Sequence, residues 1–131
     1  MLSCDKQSGP SQWRGVWVTN VDSEVLDSRE NIDEAMEFLA DHGFNVVMPV
    51  VWNDAYTLYP SRIMDSLFQR PVSPRFSGRD PLKELIDAAH RNGIRVIAWF
   101  EYGFAASYRK NGEYYWKNGR NGRRVTVKGI C

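Results

Sequence analysis

Three short apolar runs, separated by segments of helical period, set the rhythm of this chain. Residues 14–21, from Arg14-Gly15-Val16 to Val21, are apolar in the middle and polar at both ends, the pattern of a strand buried on both faces. Next, Ile32, Ala35, Met36 and Leu39 fall at i, i+3, i+4 and i+7, so one stripe of a helix faces a sheet. Asp27 or Ser28 can cap that helix, and Gly43 ends it. Residues 44–52 form the second apolar run, again without alternation. Pro49 interrupts it: a proline has no ladder donor, which predicts a bulge or a strand end there. Residues 53–79 hold Pro60, Pro71, Pro74 and Gly78 and show no sustained period. A loop of that length inside a compact domain is usually functional or disordered. The pattern then resumes, with Asp80 as cap, Pro81 at the first helical position, and Leu82, Leu85, Ile86 and Ala89 as the apolar stripe. Gly93 closes this helix, and residues 94–100 form the third strand, running into Glu101-Tyr102-Gly103-Phe104. Beyond Tyr108 the helical pattern is lost, and Val125-Thr126-Val127 is a brief strand-like run.

The order β-α-β-loop-α-β predicts parallel strands joined by right-handed helical crossovers. A doubly wound sheet fits this order as well as a barrel does. Two features favour the barrel. A Gly-rich phosphate loop, which a nucleotide fold places after its first strand, is missing. Polar and aromatic residues stand instead at the carboxyl ends of all three strands: Asn20 and Asp22, Trp52 and Asn53, Glu101 and Tyr102. A (β/α)₈ barrel builds its active site there. The expected fold is therefore α/β, the N-terminal portion of a TIM barrel amounting to three βα steps. Residues 1–13 are a polar tail, and residues 14–131 are the barrel part. A whole barrel takes about 250 residues, so a chain of 131 is expected to be one cut short.

Composition narrows the function. The chain is 43% hydrophobic and 25% charged with a formal net charge of +1, values of a soluble globular protein. Seventeen bases against sixteen acids leave no electrostatic footprint for a nucleic-acid partner. Aromatic residues make up 13% of the chain, mostly as core, although flat rings also serve as platforms for sugar faces. Cys4 and Cys131 lie at opposite ends and form neither a disulfide framework nor a metal-ligand spacing. No cofactor is implied. No apolar run reaches the ~18 residues of a membrane span. Leu2-Ser3-Cys4-Asp5-Lys6, followed by a polar stretch, looks like the stub of a bacterial lipoprotein signal, with Cys4 as the lipidation site. An ordinary polar tail is the alternative. His42 and His90 sit in the last turns of the two helices, where a histidine complements the helix dipole.

Several blocks together resemble one family. They are Arg14-Gly15-Val16-Trp17-Val18-Thr19-Asn20-Val21-Asp22-Ser23, Gly43-Phe44-Asn45-Val46-Val47, and Pro49-Val50-Val51-Trp52-Asn53 running on to Thr57-Leu58-Tyr59-Pro60-Ser61. Gly78-Arg79-Asp80-Pro81-Leu82, Ala89-His90-Arg91-Asn92-Gly93-Ile94 and Ala98-Trp99-Phe100-Glu101-Tyr102-Gly103-Phe104 complete the set. In this order they resemble the glycosyl-hydrolase-like family 10 proteins of bacteria across residues 14–105. The resemblance implies a (β/α)₈ barrel in a secreted or lipid-anchored envelope protein that cleaves glycosidic bonds. Its substrate would be a polysaccharide, with the glycan of peptidoglycan the leading candidate. Residues 109–131 match the family poorly, and the loop, helix and fourth strand that it places after the third strand are not legible.

Glycoside hydrolysis needs two carboxyl groups, one to protonate the leaving oxygen and one as base or nucleophile. Related barrels carry them on the fourth and later strands, so this chain is expected to be inactive alone. Glu101 is the best catalytic candidate in it, at a strand's carboxyl end between the apolar rings of Phe100 and Tyr102, the kind of setting in which general acids are found. It can equally bind a substrate hydroxyl or pair with an arginine. Asp22 reads as a loop cap or a substrate-binding group. Asn20 and Asn53 can hydrogen-bond sugar hydroxyls or merely shape turns, with Trp52 and Tyr102 as stacking walls. Tyr56 and Tyr59 can form a lid or cover the barrel mouth. The alternative function is a non-catalytic carbohydrate-binding module. A third reading, an α/β domain with a nucleotide or regulatory ligand, lacks the glycine-rich turn it would need.

Overall fold

The computed structural model describes residues 12–101, so the tail with Cys4, Tyr102 and everything after it lie outside the described residues. Strand β1 (Gly15–Val18) leads through a 3₁₀ turn (Val25–Asp27) into helix α1 (Arg29–Asp41). Strand β2 (Val46–Asn53) turns back into the short strand β3 (Tyr56–Thr57). Helix α2 (Arg62–Phe68), a second 3₁₀ turn (Pro74–Phe76) and helix α3 (Pro81–Arg91) follow, then strands β4 (Arg95–Val96) and β5 (Trp99–Phe100). This is a mixed α/β fold with a parallel sheet. β1 pairs with one edge of β2, β4 and β5 pair with the other, and all these pairings are parallel. α1 and α3 pack side by side on one face of that sheet, in the manner of consecutive βα steps winding one way.

Local chemistry accounts for the helix limits. Ser28 is the N-cap of α1, its hydroxyl accepting from Asn31 N at 3.0 Å, so of the two caps expected Ser28 is the one used. Asp80 accepts from Lys83 N at the start of α3, and Pro81 follows it. Gly43 and Gly93 leave the helices at φ of 77° and 70°, a conformation that an L side chain resists. His42 Nδ1 donates to the Phe38 carbonyl at 2.7 Å, a second bond to an oxygen that also accepts from the His42 backbone N–H at 3.2 Å. The core forms where the helical stripes meet the sheet: Ile32, Met36 and Leu39 of α1 and Leu85, Ala88 and Ala89 of α3 close over Val18, Val47 and Val50. Phe76, from the second 3₁₀ turn, fills the same cluster.

Three expectations are corrected. β1 is not buried on both faces: Val18 faces the core, but Trp17 is 62% exposed. The reason is positional, because α1 and α3 cover one face of the sheet and Trp17, alternating with Val16 and Val18, lies on the other. The long stretch 53–79 is not structureless. It holds a hairpin strand, a helix and a 3₁₀ turn, each too short to show a period in sequence. The third strand is split in two, and Pro49 explains the split. Asn45 O and Val47 O accept from Arg95 N and Ile97 N, each at 3.0 Å. The next bond of a parallel ladder would run from residue 49 back to the Ile97 carbonyl, and proline has no N–H to give. β2 itself runs unbroken through Pro49. The bulge comes just beyond, where Val50 pairs with Trp99 and Trp52 with Phe100, leaving Val51 as the extra residue.

Truncating the seam between helices and sheet should be costly. Leu85→Ala, at a fully buried position, is expected to lower stability by about 2–5 kcal/mol. Ser28→Ala, which removes only the cap, should cost about 1 kcal/mol. Urea unfolding followed by circular dichroism measures both.

Candidate functional site at the strand carboxyl ends

Parallel pairing brings the carboxyl ends of three strand segments to one edge of the sheet. Asn20 lies in the bend just after β1, Trp52 and Asn53 end β2, and Glu101 follows β5. Glu101 is tied to its neighbour by backbone, its N–H donating to the Trp52 carbonyl at 3.1 Å. Asn20 and Asn53 are joined directly: Asn53 Nδ2 donates to Asn20 Oδ1 at 3.0 Å across 33 residues of chain. Asn53 is only 5% exposed, so this bond replaces hydration that burial has removed. The two carboxamides therefore serve a tertiary contact rather than two separate turns.

Two polar atoms at this edge are buried without any hydrogen-bond partner, Trp52 Nε1 and Glu101 Oε2. An unpaired buried donor or acceptor costs about 1–3 kcal/mol, and such groups call for a reason. Trp52 Nε1 is a hydrogen-bond donor and a carboxylate oxygen of Glu101 an acceptor, so each by itself is a group that a ligand hydroxyl could partner. The expected pairing of Glu101 with an arginine is not found among the described residues. Asp22 stands exposed, and the local turns are capped by its neighbours instead. Thr19 Oγ1 accepts from Val21 N and Ser23 Oγ from Val25 N, each at 3.2 Å. Tyr102 and Cys4 are outside the described residues.

The backbone next to Asn53 is strained. Asp54 and Ala55 form the two-residue turn from β2 to β3 with φ of 50° and 62°, the sign that a type I′ hairpin requires and that glycine or asparagine normally supplies. Non-glycine residues in this region cost of order 1–3 kcal/mol each and persist only where their surroundings hold them. Here Asn53 pairs with Tyr56, Leu58 N donates to Val51 O, and the Tyr56 hydroxyl accepts from Arg70 Nη1 at 2.8 Å. Tyr56 is thus fixed in the hairpin.

Sequence reasoning missed two arginines that tie the loops together. Arg75 donates to the carbonyls of Asn20 and Ser23 and to the Asp27 carboxylate, the last at 2.6 Å. Arg79 donates to the carbonyls of Leu26 and Asp27 and to Glu84. No pattern signals their bonds to the loop between β1 and α1, because those join residues about fifty apart. The hairpin did leave a trace: an apolar run ending in Asn53-Asp54 and followed by Tyr56-Thr57 is a turn between two strands.

The family model for "Glycosyl hydrolase-like 10" matches residues 12–118, which include every strand-end residue named above. The chain belongs to the glycosyl hydrolase-like 10 family. It is similar to proteins named glycosyl hydrolase DigH from Escherichia coli (strain K12) and from Shigella flexneri. Each is 30% identical over an alignment of 112 residues, covering 72% of this chain and 25% of the relative. The chain thus spans about a quarter of the length of these curated relatives. The parallel sheet with helices on one face is compatible with part of a glycosidase barrel of this glycosyl hydrolase-like family.

Because the two carboxamides are each other's partners, their deletions should not add. Asn20→Ala and Asn53→Ala are each expected to destabilise, and a double-mutant cycle in urea should return a coupling of about 1 kcal/mol.

Proposed function

We propose that the protein is a glycosidase of the bacterial envelope, acting on a polysaccharide whose leading candidate is the glycan of peptidoglycan. The described residues would form the first strands of its (β/α)₈ barrel, with the strand ends facing the substrate. The observation that carries this reading is the pair of unpartnered buried atoms, Trp52 Nε1 and Glu101 Oε2, at the strand carboxyl ends of a glycosyl hydrolase-like chain. In a barrel enzyme that edge is where substrate is held, and sugar hydroxyls can partner a buried donor and a buried acceptor alike. Glu101 is the candidate general acid, with its second carboxyl partner outside the described residues. Asn20 and Asn53 supply hydroxyl contacts, as does Asp22 from its exposed position, and Trp52 and Tyr102 offer flat faces to pyranose rings.

A second reading, a carbohydrate-binding module without turnover, draws on one observation. Among the described strand ends, only Glu101 brings a carboxyl oxygen that is buried and unpaired. Hydrolysis requires two carboxyl groups, whereas binding requires none.

Both readings meet in one assay, reducing-end release from peptidoglycan glycan strands alongside measured glycan affinity. Turnover is expected of the protein carrying its complete barrel and not of residues 1–131 alone. In the complete protein, taken as the wild type here, Glu101→Gln should lower kcat by about 10²–10⁴-fold with affinity nearly kept. Glycan binding with no turnover in the wild type would select the binding module, and neither binding nor turnover would remove both. The same proposal makes Cys4 an acylation site. Cys4→Ser should then move the protein from the membrane fraction to the soluble one.

A further inference from the structure

Arg75 lies outside the strand-end site, yet its hydrogen bonds end in it. The segment around the second 3₁₀ turn crosses over the loop between β1 and α1, and the Arg75 guanidinium spans three groups there at once. Nη1 donates to the Asn20 carbonyl, while Nη2 donates to the Ser23 carbonyl at 3.4 Å and to Asp27 Oδ2 at 2.6 Å. Asp27 is in turn held from its backbone side, its carbonyl accepting from Arg79. Asn20 is therefore gripped at two points, by Arg75 on its main chain and by Asn53 on its side chain.

We infer that Arg75 is a positioning residue, a clasp that fixes the Asn20 carboxamide and through it the buried carboxamide of Asn53 at the strand-end site. The geometry supports this over a simple surface ion pair. Arg75 keeps a side-chain exposure of 40% and Asp27 one of 34%, and a pair so exposed adds little to stability. What an exposed guanidinium can still provide is direction, since its planar fork donates along fixed lines to separate acceptors. The hydrogen bond that Arg75 donates to Asp27 raises the Arg75 pKa above its ordinary value, and a guanidinium is charged throughout the range in which proteins fold. Arg79 acts as the second tie, binding the Leu26 and Asp27 carbonyls, so the loop between β1 and α1 cannot slide under the fork.

The deciding measurement is the side-chain amide signal of Asn53 in the ¹⁵N-labelled chain, assigned by its loss in Asn53→Asp. In the wild type this amide should be shifted and protected by its bond to Asn20. In Arg75→Lys, which keeps the charge but not the fork, its exchange should accelerate about tenfold, the equivalent of losing one hydrogen bond. Asp27→Asn should move it in the same direction, while the backbone amides of α1 and α3 stay in place. An Asn53 side-chain amide unmoved by Arg75→Lys overturns the clasp.

A second arm rests on the glycosidase reading. Arg75→Lys should weaken glycan affinity in the wild type but not further in an Asn20→Ala background, and an additive loss would equally overturn the clasp. A wild-type protein that binds no glycan would defeat the functional reading alone, because the amide signal still decides the positioning role.

Discussion

A strand paired along both edges can reach water only through its faces, so it must be apolar on both if a layer covers each. β2 meets that demand almost throughout, with Val46, Val47, Pro49, Val50 and Val51 all buried. Every other described strand takes its place from β2: β1 on one edge, β4 and β5 on the other, and β3 folded back from its end. The helices are tied to it too, since their stripes close over Val47 and Val50. The dependence runs one way. A defect in β2 is passed to its partners, as at Pro49, where one missing donor divides the neighbouring strand and the following bulge resets its register.

That reset has a consequence for chemistry. The bulge inserts Val51 between two pairings, so that Trp52 rather than Val51 sits beside Phe100, and Glu101 N reaches the Trp52 carbonyl. Bulges at strand ends commonly re-aim a side chain. Here the irregular register accompanies the two buried atoms that lack partners, and the strained Asp54–Ala55 turn lies next along the chain. Three local costs gathered at one edge of a sheet that is otherwise well satisfied are hard to attribute to folding. They lie at the edge where parallel α/β folds bind their ligands, which is the edge the proposed function uses.

Legibility in the sequence followed the length over which a pattern could repeat. α1 and α3 were readable because four stripe residues, a cap and a closing glycine agree over eleven to thirteen residues. β2 was readable as a run without alternation. The two-residue strands and the seven-residue α2 fall below one or two periods, so composition alone marked their region as loop. The strand ends were legible by position, as polar or aromatic residues following apolar runs: Asn20, Trp52, Asn53 and Glu101 stand at or just after the ends of strands. Their partners were not. The Asn20–Asn53 bond and the Arg75 and Arg79 contacts depend on loop geometry between residues distant in the chain.

The division of labour between strands and loops follows from these physical roles. Strand ends inherit their placement from the ladder and the core, where a displacement would break buried contacts worth several kcal/mol. Loops have no such restraint, and a carboxamide presented from a loop is only as well placed as the bonds that tie the loop down. Glu101 and Trp52 belong to the first kind and Asn20 to the second. The arginine forks of Arg75 and Arg79 supply to the loop between β1 and α1 what the ladder supplies to β2, directional bonds to main-chain carbonyls. Each fork must span several acceptors, which explains why the segment that carries them is long and why it is ordered. A stretch that reads as a surface excursion is, in its folded form, the frame that brings a loop residue to the precision of a strand residue.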